Sequence, residues 1–228
     1  MEAVRAGRVV RVLVARGATE NESLRTLLDE AERAQVPVGW VDRAVVAKLG
    51  PWDHQGVAAL VTLPPRLSER DVAERSFSSS AVVVILDGIT DPQNLGACAR
   101  SAEAAGAALL MVRKDRAAPV TPAAIRASAG ALFHIPVASV TNLVRSMDGL
   151  KARGFTMVGL DQDGQPLTRV SPAARPLALV VGSEEKGLSR LVREHCDDLV
   201  SIPMVGRTES LNASAALAVG LFGYAVRS

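Results

Sequence analysis

The sequence predicts an α/β protein in two parts, the larger built on a parallel sheet. Three observations carry this. Strand-like and helix-like segments alternate along nearly the whole chain. From residue 81 onward most strands are near-continuous runs of Val, Leu and Ile, the pattern of strands buried on both faces. A polar segment ending in a serine run, "PRLSERDVAERSFSSS" (65–80), divides the two parts and reads as a linker.

The front part, 1–65, gives "RVVRVLVA" (8–15) as a strand and "NESLRTLLDEAERAQ" (21–35) as a helix with Leu24, Leu27, Leu28 and Ala31 on one stripe. "VPVGWV" (36–41) is a second strand, and "RAVVAKLG" (43–50) a short helix ended by Gly50 and Pro51. "GVAALVTLP" (56–64) is a third strand.

In the larger part, 81–228, "AVVVILD" (81–87) is a buried strand and "NLGACARSAEAAG" (94–106) a helix closed by Gly106. "AALLMV" (107–112) is a strand. "TPAAIRASAGAL" (121–132) is a helix with Pro122 in its first turn, where the missing N–H is not needed. "FHIPVASV" (133–140), "FTMVGLD" (155–161), "PLALVVG" (176–182) and "DLVSIPM" (198–204) are strands, and "NLVRSMDGLKARG" (142–154) and "LSRLVREHC" (188–196) are helices. From Leu211 onward "LNASAALAVGLFGYAV" reads as a helix apolar all round, hence buried.

Composition bounds the function. Apolar residues make up 48% and aromatics 3%, so Ala, Val and Leu build the core. No apolar run is long enough to span a bilayer, and "MEAVRAGRVV" lacks the signal-peptide pattern. Cys98 and Cys196 form no CxxC or His/Cys cluster, which argues against zinc and disulfides and for reduced thiols in the cytoplasm. With 26 Lys+Arg against 24 Asp+Glu, the net charge of +2 neither favours nor excludes nucleic acid. GxxxxGK[ST], GxGxxG and GxSxG are absent, and His54, His134 and His195 share no spacing. That removes P-loop, dinucleotide-binding and serine-hydrolase readings and counts against a His-based site.

Ligands of open α/β sheets bind beyond the carboxyl ends of the strands. After the first strand of the larger part comes "DGITDPQNLGACAR", with Asn94 where an N-cap would sit; capping alone explains it as well as function does. Arg100 stands nearly alone on an Ala-rich helix, in its early turns, where the helix dipole disfavours a cation. After "PLALVV" comes "GSEEKGL", where Gly182 and Gly187 bracket a tight loop and Glu184 and Glu185 precede a helix that either carboxylate can cap. After the last strand comes "IPMVGRTESLN". Capping explains Ser210. It leaves Asn212 unexplained, since Asn is a poor helix former whose amide needs partners when buried.

Together "LDGITDPQNLGACARSAEAAGA", "LVVGSEEKGLS" and "SIPMVGRTESLNASAALA" resemble, in order, the three motifs of the SpoU (TrmH-type) RNA ribose 2′-O-methyltransferases. "IRASAGALFHIPV" is similar to the segment between the first two. "HQGVAALV" (54–61), after a small α/β unit, resembles the front domain of the subgroup that methylates a guanosine of 23S rRNA, a domain similar to ribosomal protein L30e; "VTNLVRSM" (140–147) resembles the same subgroup. The resemblance implies an L30e-like RNA-binding domain over 1–65, a linker over 66–80, and a trefoil-knotted SPOUT methyltransferase domain over 81–228. It implies S-adenosylmethionine as methyl donor and a homodimer with the last helix at the interface. It implies Asn94, Arg100, Glu184, Ser210 and Asn212 around the reaction centre, and Leu160, Gly182, Ile202, Met204 and Leu211 holding the cofactor. Arg207 and Thr208 depart from the small residues usual in the family, and an additional Arg beside the site suits RNA phosphate or is neutral. A tRNA substrate, antibiotic-resistance methylation of rRNA and a non-catalytic RNA-binding relative are the alternatives.

Overall fold

The structure is a computed structural model, and it describes residues 1–49, 55–115, 117–171 and 174–225. The expected helix stop at Gly50 and Pro51, and His54, lie outside the described residues. The chain divides into two units, Met1–Pro64 and Pro65–Ser228.

In the first unit, strand β1 (Val9–Ala15) lies between β2 (Val38–Val41), its parallel neighbour, and β3 (Val57–Val61), its antiparallel one. Short helices α1 (Glu2–Arg5) and α3 (Arg43–Ala47) flank a longer α2 (Glu22–Arg33). Asn21 caps α2 by accepting the Leu24 N–H at 2.9 Å. The stripe read from the sequence faces the sheet: Leu24 and Ala31 are buried against Val12 and Val14, with Leu27 and Leu28 half-buried beside them.

The second unit carries a six-stranded sheet in the order β6-β5-β4-β8-β7-β9, every pairing parallel. Its strands are β4 (Val82–Asp87), β5 (Leu109–Arg113), β6 (Val137–Val140), β7 (Thr156–Pro166), β8 (Leu177–Gly182) and β9 (Asp198–Ser201). Every residue of β4 and β8 is buried. Because successive side chains of a strand point to opposite faces, two cores form. Val82, Val84 and Leu86 pack with Leu95, Cys98, Ala99 and Ala102 of α5 (Pro92–Ala104) and Leu217 of α9 (Ala213–Gly220). Val83 and Ile85 pack with Leu143, Met147 and Leu150 of α7 (Leu143–Lys151) and Val192 of α8 (Arg190–Glu194). Burial of each Val, Leu, Ile or Met side chain among these is worth about 1.5–3 kcal/mol.

Several boundaries move. Helix α5 starts at Pro92, because Asp91 is its cap, accepting the Gln93 and Asn94 N–H groups at 3.2 and 3.1 Å; Asn94 is therefore inside the helix. Helix α9 starts at Ala213 with Asn212 as its cap, so neither Leu211 nor Ser210 begins it. The expected helix over 121–132 is α6 (Pro122–Ala127) followed by a 3₁₀ turn, Ala131–Phe133; positive φ at Ala129 and Gly130 separates them.

The segment 66–80 does not behave as a linker. Leu67 bridges to Ala138 beside β6. Helix α4 (Glu69–Glu74) begins with a capping box between Ser68 and Asp71, whose hydrogen bonds from the Ser68 hydroxyl and N–H hold the Asp71 carboxyl below its ordinary value. Val72 is buried, and Phe77 meets Phe155 edge-on at 5.3 Å with the Arg153 guanidinium over its ring. Its apolar anchors Leu67, Val72 and Phe77 recur every five residues. That spacing matches neither strand nor helix period, so charge and serine dominate the reading.

Candidate active site

At the switch between β4 and β8, where the strand order reverses, three loops converge. The first leaves β4 at Asp87, whose buried carboxylate accepts the Ser189 N–H at 2.7 Å and so ties the start of α8 to the end of β4. The second follows Gly182. Ser183 and Gly187 exchange backbone hydrogen bonds at 3.1 and 2.8 Å and close a turn around Glu184, Glu185 and Lys186. A Cβ on Gly182 would lie 2.0 Å from the Gly187 carbonyl carbon. The glycine is required because the loop folds back on its own backbone, a different reason from the close ligand approach expected of it.

The third loop, 202–212, brings Asn212 to the other two. Its Nδ2 donates to Asn94 Oδ1 at 2.9 Å and to Glu184 Oε2 at 3.1 Å; its Oδ1 accepts from the Ser214 N–H at 2.9 Å and the Ser214 hydroxyl at 2.7 Å. Both donors and both lone pairs of the amide are used. Asn94, Glu184 and Asn212 are thus joined directly. Among the described residues nothing bonds to Asn94 Nδ2, Glu184 Oε1 or the Ser210 hydroxyl, so these atoms are available to a ligand. Arg100 is exposed on α5 and outside this junction.

Beside the junction lies a cleft of about 810 Å³ between residues 160–163 of β7 and the loops after β8 and β9. Leu160, Gly182, Ile202, Met204 and Leu211, the five residues expected to hold a cofactor, all line it, as do Glu184 and Ser210. Asn94, Arg100 and Asn212 do not. Five carboxylates line it, Asp161, Asp163, Glu184, Glu185 and Glu209, against two cations, Lys186 and Arg193, a formal charge of −3. Such a cleft suits a ligand with an apolar, nucleoside-sized body and positive charge.

One part of the wall escaped the sequence reading. Strand β7 meets β9 twice, at Leu160↔Val200 and at Gln165↔Val200, and bulges between them over 161–164. Gly164 lies so close to β9 that a Cβ would sit 2.5 Å from the Leu199 carbonyl carbon. The Ser201 hydroxyl donates to the Gly164 carbonyl at 2.9 Å. Arg193 of α8 holds the bulge, donating from Nε to Asp161 and from a terminal nitrogen to Asp163, each at 3.1 Å. Two aspartates two residues apart after a strand were the available signal.

Cys98 and Cys196 are free, and burial pushes both thiols up to about 12, so neither supplies a thiolate nucleophile at neutral pH. Among the described residues no cluster of three or more His, Cys, Asp or Glu side chains forms a metal site, and no helix is long and apolar enough to cross a membrane.

These loops have counterparts in known proteins. The SpoU rRNA Methylase family matches residues 81–222, and the RNA 2′-O ribose methyltransferase substrate binding family matches residues 1–67. The 23S rRNA (guanosine-2′-O-)-methyltransferase RlmB of Pseudomonas putida is 39% identical over 94% of this chain and 87% of its own. RlmB of Haemophilus influenzae is 40% identical over 94% and 88%. The crystal structure of the SpoU methyltransferase AviRb from Streptomyces viridochromogenes, in complex with the cofactor AdoMet, matches with a TM-score of 0.79 at 30% identity over 99% of this chain and 85% of that one. The order of its motif loops, its parallel sheet and these matches agree, and the chain belongs to the SpoU rRNA methylase family.

Proposed function

We propose that the protein transfers a methyl group from S-adenosylmethionine to the ribose 2′-hydroxyl of a guanosine in 23S rRNA. The observation that carries this is the junction of Asn94, Glu184 and Asn212 at the edge of an acidic cleft. The cleft fits the cofactor by charge and shape. Carboxylates suit its sulfonium and ammonium, and Leu160, Ile202 and Leu211 offer apolar walls to adenine, with backbone groups around Gly182 and Met204 completing the binding set. When bound, S-adenosylmethionine supplies a methyl group already activated by positive sulfur.

The residues then have a positioning task, worth most when the reacting atoms are held in line. Asn94 Nδ2, Glu184 Oε1 and the Ser210 hydroxyl serve as hydrogen-bonding groups for ribose. Asn212 fixes Asn94 and Glu184 against each other. A guanidinium offers hydrogen-bond donors and no acceptor, so the role of Arg100 is to stabilise the developing alkoxide or to grip the adjacent phosphate.

Residues 1–65 act as the RNA-binding domain and 81–228 as the catalytic domain. The double grip of β7 on β9 supports a chain threaded as a trefoil knot. Val219 and Phe222, exposed on and just beyond α9, support a homodimer through this helix. A substrate of this kind lies in the cytoplasm.

The test is tritiated methyl transfer from S-adenosylmethionine to unmodified 23S rRNA, with tRNA in parallel, followed by nucleoside analysis. 2′-O-Methylguanosine from 23S rRNA is expected. Label in tRNA alone overturns the substrate. Absence of label from both, with the cofactor bound, overturns the activity on free RNA. Arg100→Ala is expected to lose most turnover and keep cofactor affinity; near-normal turnover removes Arg100 from the reaction.

A further inference from the structure

All six strands are parallel, so their carboxyl ends share one rim. That rim has two halves. The ends of β8 and β9 and the bulge of β7 border the cleft, with its formal charge of −3. RNA phosphates are repelled there. A polyanion whose ribose reaches Asn94 must lay its backbone on the other half, beyond β4, β5 and β6.

Besides Arg100 on α5, two cations on that half follow β5. Arg113, half-buried, ends the strand, and Lys114, exposed, comes next. The Lys114 N–H donates to the Val140 carbonyl at 2.7 Å, which fixes the turn against the end of β6. The neighbouring carboxylates are otherwise engaged. Asp91 caps α5, and Glu69 accepts the Thr141 and Asn142 N–H groups at 2.8 and 2.9 Å. Among the described residues neither Arg113 nor Lys114 has an ion-pair partner, and Asp115 pairs with neither. The two cations are held in place by the backbone and left without internal use. Neighbouring strands lie about 4.8 Å apart, so the end of β5 is one strand spacing from the end of β4, where the loop to Asn94 begins.

We propose that Arg113 and Lys114 form a phosphate-gripping surface that positions substrate RNA, holding the backbone beside the ribose presented to Asn94. This rests on the RNA methyl-transfer reading. Arg supplies a bidentate fork and Lys a compact charge. Phosphate contacts of this kind set register and affinity and read no bases.

The experiment compares the full chain with Arg113→Ala/Lys114→Ala, and with Lys114→Glu alone in case the half-buried Arg113 is needed for folding. Fluorescence anisotropy with a labelled single-stranded RNA gives affinity across a salt series. Each lost phosphate contact on a single strand lowers the slope of log K against log salt by about 0.7, so the double variant loses about 1.4. RNA KM is expected to rise about tenfold or more, with kcat at saturating RNA and cofactor affinity unchanged. Arg113→Lys/Lys114→Arg restores most of the slope. An unchanged slope and KM overturn the surface, as does a loss of cofactor affinity in step with RNA affinity, which marks a structural role. If the parent binds RNA but methylates none, the methyl-transfer reading fails by itself, and the slope comparison still decides the surface.

Discussion

The side-chain amide of Asn212 donates to Asn94 across 118 positions of sequence, at 2.9 Å. The same nitrogen reaches Glu184, and the amide oxygen caps α9 through Ser214. Two substitutions separate these roles. Asn212→Ala loses the cap, worth about 1 kcal/mol, and frees Asn94 and Glu184. Asn212→Asp keeps an acceptor for Ser214 but has no N–H for either partner and adds a like charge beside Glu184. Thermal denaturation should therefore show more of the parent's helix stability in Asn212→Asp than in Asn212→Ala. Methyl transfer should fall on the order of a hundredfold or more in both, the scale of a lost positioning contact.

Arg193 holds the bulge at 161–164 by two hydrogen bonds. Its side chain is 41% exposed, so the ion pairs themselves contribute about 1 kcal/mol or less to folding. Their importance is local. Arg193→Ala should weaken cofactor binding about tenfold, ~1.4 kcal/mol, by calorimetry, with little change in Tm. Arg193→Lys keeps the charge and loses the fork, and should fall between the two.

Gly182, before the 183–187 turn, and Gly187, at its end, make opposite demands. Gly187 has φ +61° and open space where a Cβ would go, so Gly187→Ala should cost about 1 kcal/mol, from conformation alone. In Gly182→Ala the new Cβ strikes the turn's own backbone, the turn must open, and cofactor binding should be lost. For a chain of this size 1 kcal/mol corresponds to about 2–4 °C in Tm. Gly187→Ala should stay within that range, and Gly182→Ala should exceed it.

Asp197 tests the pH dependence. Partial burial raises its carboxyl, but the Lys151 ammonium at 2.6 Å and the Met157 N–H at 2.8 Å outweigh this, and the net shift is downward. A carboxylate depressed in the folded state stabilises above its unfolded pKa, about 3.9, and that stability is lost as pH falls through the lower folded value. Asp197→Asn should therefore lower Tm at pH 6–7. The gap from the parent should shrink only below about pH 4. A gap that widens on acidification contradicts the assignment.

What the sequence disclosed and what it hid follow from range. Strands β4 and β8 were legible because burial on both faces makes their composition continuous. The loops after them were legible because strand ends mark where ligands bind. The true caps, Asp91 and Asn212, were misplaced by three and two residues. Asp91, Asn94, Ser210 and Asn212 all belong to the residue types that cap, and only hydrogen bonds distinguish them. The 161–164 bulge and its Arg193 support were hidden because 30 and more residues separate the partners. The packed 66–80 segment was hidden because its three apolar anchors obey no single period.

The order in which the chain is synthesised gives the grip of β7 on β9 a further meaning. Translation delivers Asn94 early, and the sheet from β4 to β8 can assemble while the remaining residues are still being made. Val200 and Ser201, which pair with β7 at its bulge, and Asn212, which joins the three loops, come more than a hundred positions later. Until they arrive the cleft lacks a wall and Asn94 lacks its partner. A chain emerging from the ribosome, itself rich in ribose hydroxyls, therefore carries no joined site until Asn212 has been made.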